Sequence, residues 1–144
     1  MTLHSKALEP QLIFSKKTST DPNPIVTIGA CVKNCETSVK DAIESVYNQD
    51  FDHNLMELIV VDDGSKDRTL SVVLSLVSAM DMRIKVFHSI WRGLGAQRNF
   101  VVNNASGYYI VWVDGDMILP RNHVSRQVEF MEKNPKIGAA KARY

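Results

Sequence analysis

Two carboxylates that flank a single glycine, Asp114 and Asp116, end an apolar run of the sequence, YYIVWVDGDMILP at residues 108–120. The segment 109–113 is typical of a strand that is apolar on both faces, as in the middle of a covered parallel sheet. Two acids two residues apart in extended chain point the same way and repel each other. A cation beside them explains this arrangement best. Hard oxygen ligands with room for water favour Mg²⁺ or Mn²⁺, which would also bind phosphate oxygens.

A second pair of acids, Asp62 and Asp63, follows another apolar segment and precedes Gly64 and Ser65. Taken alone, these residues fit a simple turn equally well, because Asp, Gly and Ser all favour turns. The functional alternative is a carboxylate that accepts a hydrogen bond from an N–H of a bound base or from a ribose hydroxyl. We favour function because Asp114 and Asp116 are predicted to end a strand of the same sheet.

Arg98 lies one turn into a predicted helix that opens with Gly93-Leu94-Gly95. The dinucleotide-binding fingerprint fails here, since Arg98 stands where its third glycine is needed. A phosphate at the start of this helix would find Arg98 within reach. A solvated arginine on a surface helix explains the residue equally well. His88, near a predicted strand end, is not counted among the site residues.

The elements that must position these residues alternate along the chain. Strands are predicted at residues 25–31, 58–61, 84–88, 108–113 and 137–142. Helices are predicted from a capping box at Ser38 and Asp41 to about residue 49, from an N-cap at Asp67 through Met80, over 94–104, and over 120–133. The order predicts an α/β fold of Rossmann-like type, with a mostly parallel sheet and helices on both faces. Residues 1–24 are predicted to be a loosely ordered leader.

Ligands of such sheets bind beyond the carboxyl ends of the strands, where all the candidate residues fall. The composition adds no other partner: 17 basic and 16 acidic residues give a net charge of +1, so we expect no nucleic acid. No apolar run approaches the roughly 20 residues that span a bilayer. We therefore expect a cytoplasmic chain, either free or peripheral to the cytoplasmic membrane face. Cys31 and Cys35 have poor zinc-ligand spacing, and Cys31 is predicted to be buried on a strand.

Three segments, VTIGACVKNCE, VVDDGSKDRTL and GLGAQRNFVVNNASGYYIVWVDGDMILP, resemble family 2 glycosyltransferases of GT-A fold in their order and spacing. The resemblance runs from about residue 25 to the end of the chain. It implies a nucleotide-sugar donor, with a UDP-sugar expected, a divalent metal, and inverting transfer to a hydroxyl of an unknown glycan or lipid-linked acceptor. Residues 25–144 would then be the nucleotide-sugar-binding half of such a domain.

The resemblance also implies roles for individual residues. Asp114 and Asp116 match the DxD motif that holds metal and diphosphate in the family, and Asp62 and Asp63 match the acids beside the nucleoside. Arg98 matches a basic position near the phosphates. Three further residues, in the loop that wraps the base, are expected to bind the nucleotide as well: Val32, Asn34 and Glu36. Val32 stands where an aromatic residue is frequent.

The general base of the family is an acid well downstream of the DxD motif, and the sequence offers no match for it. Glu129 and Glu132 belong to a predicted helix, so the catalytic residue is unknown and expected beyond Tyr144. We therefore expect this chain to be a fragment, natural or cut, that binds donor and metal but transfers sugar poorly or not at all.

Two other classes share part of this pattern. A phosphorelay receiver domain would use Asp114 as its phosphoacceptor, but a receiver carries its acid pair on the first strand, and here residues 25–49 come earlier. A haloacid-dehalogenase-like phosphatase has a D-x-D loop after an apolar strand, but that strand usually comes first in the domain, and here it is predicted to be the fourth.

Overall fold

Five strands form one sheet in the computed structural model, which describes residues 9–18 and 23–143. The strands are β1 (Gln11–Lys16), β2 (Val26–Val32), β3 (Met56–Asp63), β4 (Arg83–Ser89) and β5 (Tyr109–Asp114). The helices are α1 (Val39–Tyr47), α2 (Thr69–Val77), α3 (Leu94–Asn104) and α4 (His123–Lys133), with a short 3₁₀ turn at His53–Leu55.

The strand order across the sheet is β1-β4-β3-β2-β5, and the strands β2 to β5 run parallel. Only β1 is antiparallel, to β4. Because parallel strands end on the same side, the carboxyl ends of four strands meet along one edge of the sheet. The mostly parallel sheet predicted from the alternating elements is confirmed.

The central strand β3 reads MELIVVDD, and all eight of its residues are buried. Alternate side chains of the sheet enter two apolar clusters, one on each face. Leu58 and Val60 join residues of α1, α2 and α4 on one face. Ile59 and Val61 pack with Val101 of α3 on the other. Because both faces are covered, β3 has no need of the polar alternation that a half-exposed strand would show.

The prediction of a loosely ordered leader is wrong for Gln11–Lys16, which forms β1. Residues 1–8 and 19–22 of that predicted leader lie outside the described residues. Phe14 packs against the larger apolar cluster, and Lys16 Nζ donates to the carbonyl of Met80 at 2.6 Å. These contacts, together with the pairing of β1 to β4, stabilise a segment whose local sequence is too short and mixed to indicate a strand.

Two expectations about the end of the sheet are also wrong. β5 lies at an edge, beside β2 alone, and only Val113 of its residues is buried. Residues 137–142, predicted as a fifth parallel strand, contain no strand. A strand needs a hydrogen-bonding partner, and within residues 9–18 and 23–143 no segment pairs with them.

The predicted helix starts are partly wrong. Ser38 precedes α1, but its hydroxyl makes no cap hydrogen bond with the helix, so the predicted capping box does not form. Asp67 comes one residue before the N-cap position of α2, Arg68, yet its carboxylate accepts from the Thr69 amide at 2.9 Å. α4 starts at His123, three residues after the predicted Pro120, with Val124 and Val128 buried as expected.

Candidate nucleotide-sugar site

The residues predicted to bind a ligand meet at the carboxyl edge of the sheet. Asp62 is paired in register with Val32 of β2 and with His88 of β4, and Asp114 is paired with Cys31 of β2. Neighbouring strands lie about 4.8 Å apart, so these positions form one row. The row brings together acids that are more than 50 positions apart in the sequence.

Asp114 is half-exposed, and a guanidinium group lies beside it. Arg98 Nη2 is 3.4 Å from Asp114 Oδ1, and the same guanidinium lies 5.3 Å from the centre of the Trp112 ring. An ion pair as exposed as this one contributes only about 0–1 kcal/mol to folding stability. The pair is therefore weakly held, and both groups are accessible to an anion or a cation that competes for them.

The turn Asp114-Gly115-Asp116 is seated on the loop that follows β2. Ser38 Oγ donates to the Gly115 carbonyl at 2.9 Å. A Cβ on Gly115 would lie 2.6 Å from Cys35 Sγ, so any other residue would force the Cys35 side chain to shift. Met117 N donates to the Asp114 carbonyl at 3.0 Å, which closes the turn. The backbone between the two acids is therefore fixed, while Asp116 is exposed.

These two acids, Asp114 and Asp116, supply only some of the ligands that a divalent cation needs. Two exposed carboxylates supply hard oxygen ligands, and Mg²⁺ and Mn²⁺ bind one or two carboxylates together with phosphates and water. Within the described ranges, no cluster of three or more His, Cys, Asp or Glu residues could hold a metal. The remaining ligands would have to come from a bound phosphate and from water.

Asp63 is buried, and its carboxylate holds the loop between β4 and α3. Its Oδ1 accepts from Arg92 N at 2.8 Å and from Gln97 Nε2 at 2.5 Å, and its Oδ2 accepts from Gly93 N at 2.9 Å. Gln97 also donates to Ser89 Oγ at 2.6 Å. Both oxygens are therefore engaged within the protein, an arrangement typical of a carboxylate that fixes a loop.

Asp62, the neighbour of Asp63, points to the opposite face of the sheet because side chains alternate along a strand. It is fully buried, and its Oδ2 lies 2.8 Å from His88 Nδ1 and 3.3 Å from Ser65 N. Its Oδ1 has no hydrogen-bond partner among the described residues. An unpartnered buried oxygen is costly unless something supplies a donor, so Asp62 keeps one acceptor available.

Asn34 and Glu36 join the loop after β2 to the loop after β3. Asn34 N donates to Ser65 Oγ at 2.9 Å, and Asn34 Oδ1 accepts from Lys66 N at 2.8 Å. Glu36 Oε2 accepts from Arg68 N at 2.8 Å. Asn34 has a φ of 47°, a left-handed conformation that asparagine adopts more easily than most residues. Both side chains shape the rim through backbone contacts.

Val32 is only 2% exposed, and its side chain belongs to the apolar core. It offers no surface to a base in this conformation. Cys31 lies on β2 as predicted, but it is half-buried and not fully buried. Burial raises the pKa of its thiol to about 11, and the nearby Arg98 opposes this shift. At neutral pH this thiol stays protonated, which disfavours metal ligation by Cys31.

Several residues of this edge were missed or discounted in the sequence. His88 contacts Asp62, Gln97 contacts Asp63, and Ser38 holds Gly115. His88 has a signal in the sequence, since it ends a predicted strand beside the one that ends in Asp62. Gln97 and Ser38 have none, because their partners lie 34 and 77 residues away.

A mostly parallel α/β sheet with acids at its carboxyl edge is an arrangement in which ligands bind beyond the strand ends. The chain belongs to the family described as Glycosyl transferase family 2, whose sequence model matches residues 27–144. The predicted family is thereby confirmed.

The chain is similar to curated glycosyltransferases of bacteria. It is 33% identical over 117 residues to an uncharacterized glycosyltransferase of Haemophilus influenzae. The aligned region covers 81% of this chain and 35% of that protein. It is 38% identical over 93 residues to the putative glycosyltransferase EpsH of Bacillus subtilis, covering 65% of this chain and 26% of that protein. The chain thus spans about a third or less of these relatives.

Solved structures share the fold. TarS 1–349 of S. aureus, in complex with UDP, superposes with a TM-score of 0.69 at 25% identity, over 76% of this chain and 32% of that one. The mannosyltransferase PcManGT of Pyrobaculum calidifontis, in complex with GDP-Man and Mn²⁺, superposes with a TM-score of 0.71 at 24% identity, over 81% and 36%. The GT-A fold is confirmed by these similarities.

No helix within the described ranges is long and apolar enough to cross a membrane. The predicted cytoplasmic location stays a prediction.

Proposed function

We propose that this chain is the donor-binding part of a glycosyltransferase, which binds a nucleoside diphosphate sugar, with UDP as the expected nucleotide, together with Mn²⁺ or Mg²⁺. The observation that carries the proposal is the pairing of half-exposed Asp114 with Arg98, at 3.4 Å, beside exposed Asp116. A diphosphate with its counter-cation carries both signs of charge. It is therefore matched by a carboxylate pair with an arginine next to it.

Asp114 and Asp116 are the proposed ligands of the cation. A bound divalent cation would neutralise charge on the diphosphate leaving group. Arg98 is weakly paired in this conformation and reaches the same space, so it is the proposed partner of a phosphate oxygen. Gly115 lets the backbone of the turn approach the loop after β2, which keeps both acids at the sheet edge.

The nucleoside is proposed to lie over the ends of β2 and β3. Asn34, Glu36 and Asp63 would shape this part of the site by holding its loops. Asp62 would offer its unpartnered oxygen to an N–H of the base in a conformation that exposes this oxygen. The UDP complex of TarS supports a uridine nucleotide, since that protein shares the fold and a quarter of the aligned residues.

Sugar transfer itself is proposed to require an acceptor site and a general base that the residues of this chain do not supply. Asp114 and Asp116 are assigned to the donor, and the acids of α4, Glu129 and Glu132, are exposed on a helix. The acceptor, a glycan or a lipid-linked sugar, is unassigned. We expect the 144-residue chain alone to bind donor and to transfer sugar poorly or not at all.

The receiver-domain alternative is not supported. The acid pair ends β3, the third strand, and the family match covers residues 27–144. A receiver would carry the pair on its first strand, so Asp114 is not proposed as a phosphoacceptor.

The test is calorimetric titration of the chain with UDP and with GDP, in Mn²⁺ and again in excess chelator. We expect metal-dependent binding of at least one nucleotide. Replacing both metal ligands, Asp114→Asn with Asp116→Asn, should weaken it at least tenfold, because the cation would lose its protein ligands. Glu132→Gln, which removes an exposed charge on α4, is the matched control and should bind as the unaltered chain does. Failure of both nucleotides to bind with metal would overturn the proposal.

A further inference from the structure

Among the described residues, Trp91 is the most exposed large apolar side chain at the carboxyl edge of the sheet, with 68% of its surface accessible. It lies in the loop between β4 and α3, and that loop is firmly held. Asp63 accepts from the amides of the next two residues, Arg92 and Gly93. A Cβ on Gly64 would lie 2.9 Å from the Trp91 amide nitrogen, so the turn after β3 packs directly beneath the loop. The indole is therefore exposed on a fixed backbone.

The ring of Trp91 reaches across the end of β3. Lys33, in the loop after β2, places its Nζ 5.0 Å from the centre of the indole. Since β3 lies between β2 and β4 in the sheet, the two loops meet above Asp62 and Asp63. The contact between ammonium and indole therefore covers the part of the edge proposed to receive the nucleoside.

A planar base needs an aromatic or similar flat surface to stack on. Few of the described side chains at this edge could provide such a surface. Val32 is buried in the core. Trp112 packs in the apolar cluster beside α3, with Arg98 over its ring. Tyr108 is exposed, but it precedes β5 and so lies at the opposite edge of the sheet. Among the described residues, Trp91 alone is an exposed indole beside the end of β3.

We infer that Trp91 is the stacking surface for the base of the bound nucleotide, and that the base displaces Lys33 from the indole. This inference rests on the proposed function, which supplies the nucleotide. An exposed cation–π contact is weaker than the stacking of one base on an aromatic ring, so the exchange is favourable. The residue that stacks the base thus comes from the loop after β4, whereas the resemblance of the sequence pointed to the loop after β2.

The test compares two ligands that share a diphosphate group but differ in the base. UDP, or GDP if that binds more tightly, and inorganic pyrophosphate are each titrated with Mn²⁺ into the 144-residue chain. Trp91→Ala should weaken nucleotide binding about tenfold, the size expected for one lost base–aromatic stack, and should leave pyrophosphate binding unchanged. Trp91→Phe, which keeps a ring, should bind the nucleotide within about threefold of the unaltered chain.

Ile90→Ala is the matched control, because Ile90 is 57% exposed, lies one residue earlier and has no ring. It should bind both ligands normally. Equal nucleotide affinity in Trp91→Ala and the unaltered chain would overturn the inference and leave the proposed function intact. An equal loss for pyrophosphate would also overturn it, since the effect would then be structural. If the unaltered chain binds neither UDP nor GDP with metal, the proposed function fails and this inference fails with it.

Discussion

Strand β3 carries buried acids near both ends, and Glu57 at the amino end differs in its surroundings from Asp63 at the carboxyl end. Glu57, at the amino end, accepts from Thr27 Oγ1 at 2.6 Å and from Ser106 N at 2.5 Å, and Lys85 Nζ lies 3.8 Å away. Asp63, at the carboxyl end, accepts from three donors of the loop before α3 and of α3 itself. Each carboxylate fixes a loop of the α/β unit.

What differs is what stands next to each acid. Near Glu57 the backbone segments are closely packed, because a Cβ on Gly107 would collide with the backbone of β2. Around Asp63 the edge carries half-exposed Asp114 and Arg98 and the exposed indole of Trp91. A buried acid is therefore no mark of a ligand site by itself. The half-exposed ion pair of Asp114 and Arg98 distinguishes the carboxyl edge, whereas each edge has an exposed ring, Trp91 here and Tyr108 at the amino edge.

The largest effect is expected at the amino end, from Glu57→Ala. The change removes the acceptor for Thr27 and Ser106 and leaves Lys85 without its ion-pair partner, so it should cost about 3 kcal/mol of unfolding free energy. Urea unfolding followed by circular dichroism measures this. Glu57→Gln, which keeps the shape and one oxygen, should cost less. If the comparison is sound, the folded fraction of either variant binds nucleotide normally; a loss of affinity there would contradict it.

A smaller loss of stability, combined with a loss of binding, is expected from Asp63→Asn. One of the two oxygens becomes an NH₂ group that faces a backbone donor, which should cost about 1–3 kcal/mol in the same unfolding measurement. Because this acid holds the loop that carries Trp91, nucleotide affinity should fall as well. Normal affinity with lowered stability would show that the two ends of β3 are alike and that the loop has no part in binding.

The smallest effect on stability is expected from Ser38→Ala, which removes the hydrogen bond to the Gly115 carbonyl. The loss should be about 1 kcal/mol or less, since one hydrogen bond near the surface is removed. If this hydroxyl positions Asp114 and Asp116, the apparent Mn²⁺ affinity in the presence of UDP should fall. The affinity for UDP in the absence of metal should stay unchanged. Ser71→Ala, on the exposed face of α2, is the control. Equal effects on both kinds of binding would contradict a positioning role.

Much of the fold could be predicted because it depends on local pattern. The apolar runs of β3 and β5 and the helical spacing of Val73 and Val77 each indicate their element without knowledge of the rest. The wrong predictions concern segments at or beyond the edges of the sheet. β1 exists because β4 offers it an edge, and 137–142 is not a strand because nothing described pairs with it. Pairing is a property of two segments, and one of them alone cannot show it.

The predicted acids Asp62, Asp63 and Asp114 do end their strands, because a polar residue at the end of an apolar run is visible in the sequence. The roles of these acids, of Asp116 and of Arg98 in binding stay predictions. The surroundings of each acid could not be predicted from the sequence. Adjacent acids on a strand face opposite ways, so Asp63 is engaged by a loop and Asp62 retains an acceptor. The contacts of His88 with Asp62 and of Trp91 with Lys33 depend on neighbours that the sheet brings close.

The sequence by itself determined the family, the alternation of strands and helices, and the acids at the strand ends, because these depend on residue type and on spacing over a few positions. The tertiary structure decided which acids remain accessible and which side chains surround them. Accessibility depends on strand order, which joins segments far apart in the chain. That order places the loops after β2 and β4 on either side of β3, and so brings Lys33 and Trp91 together above the acids.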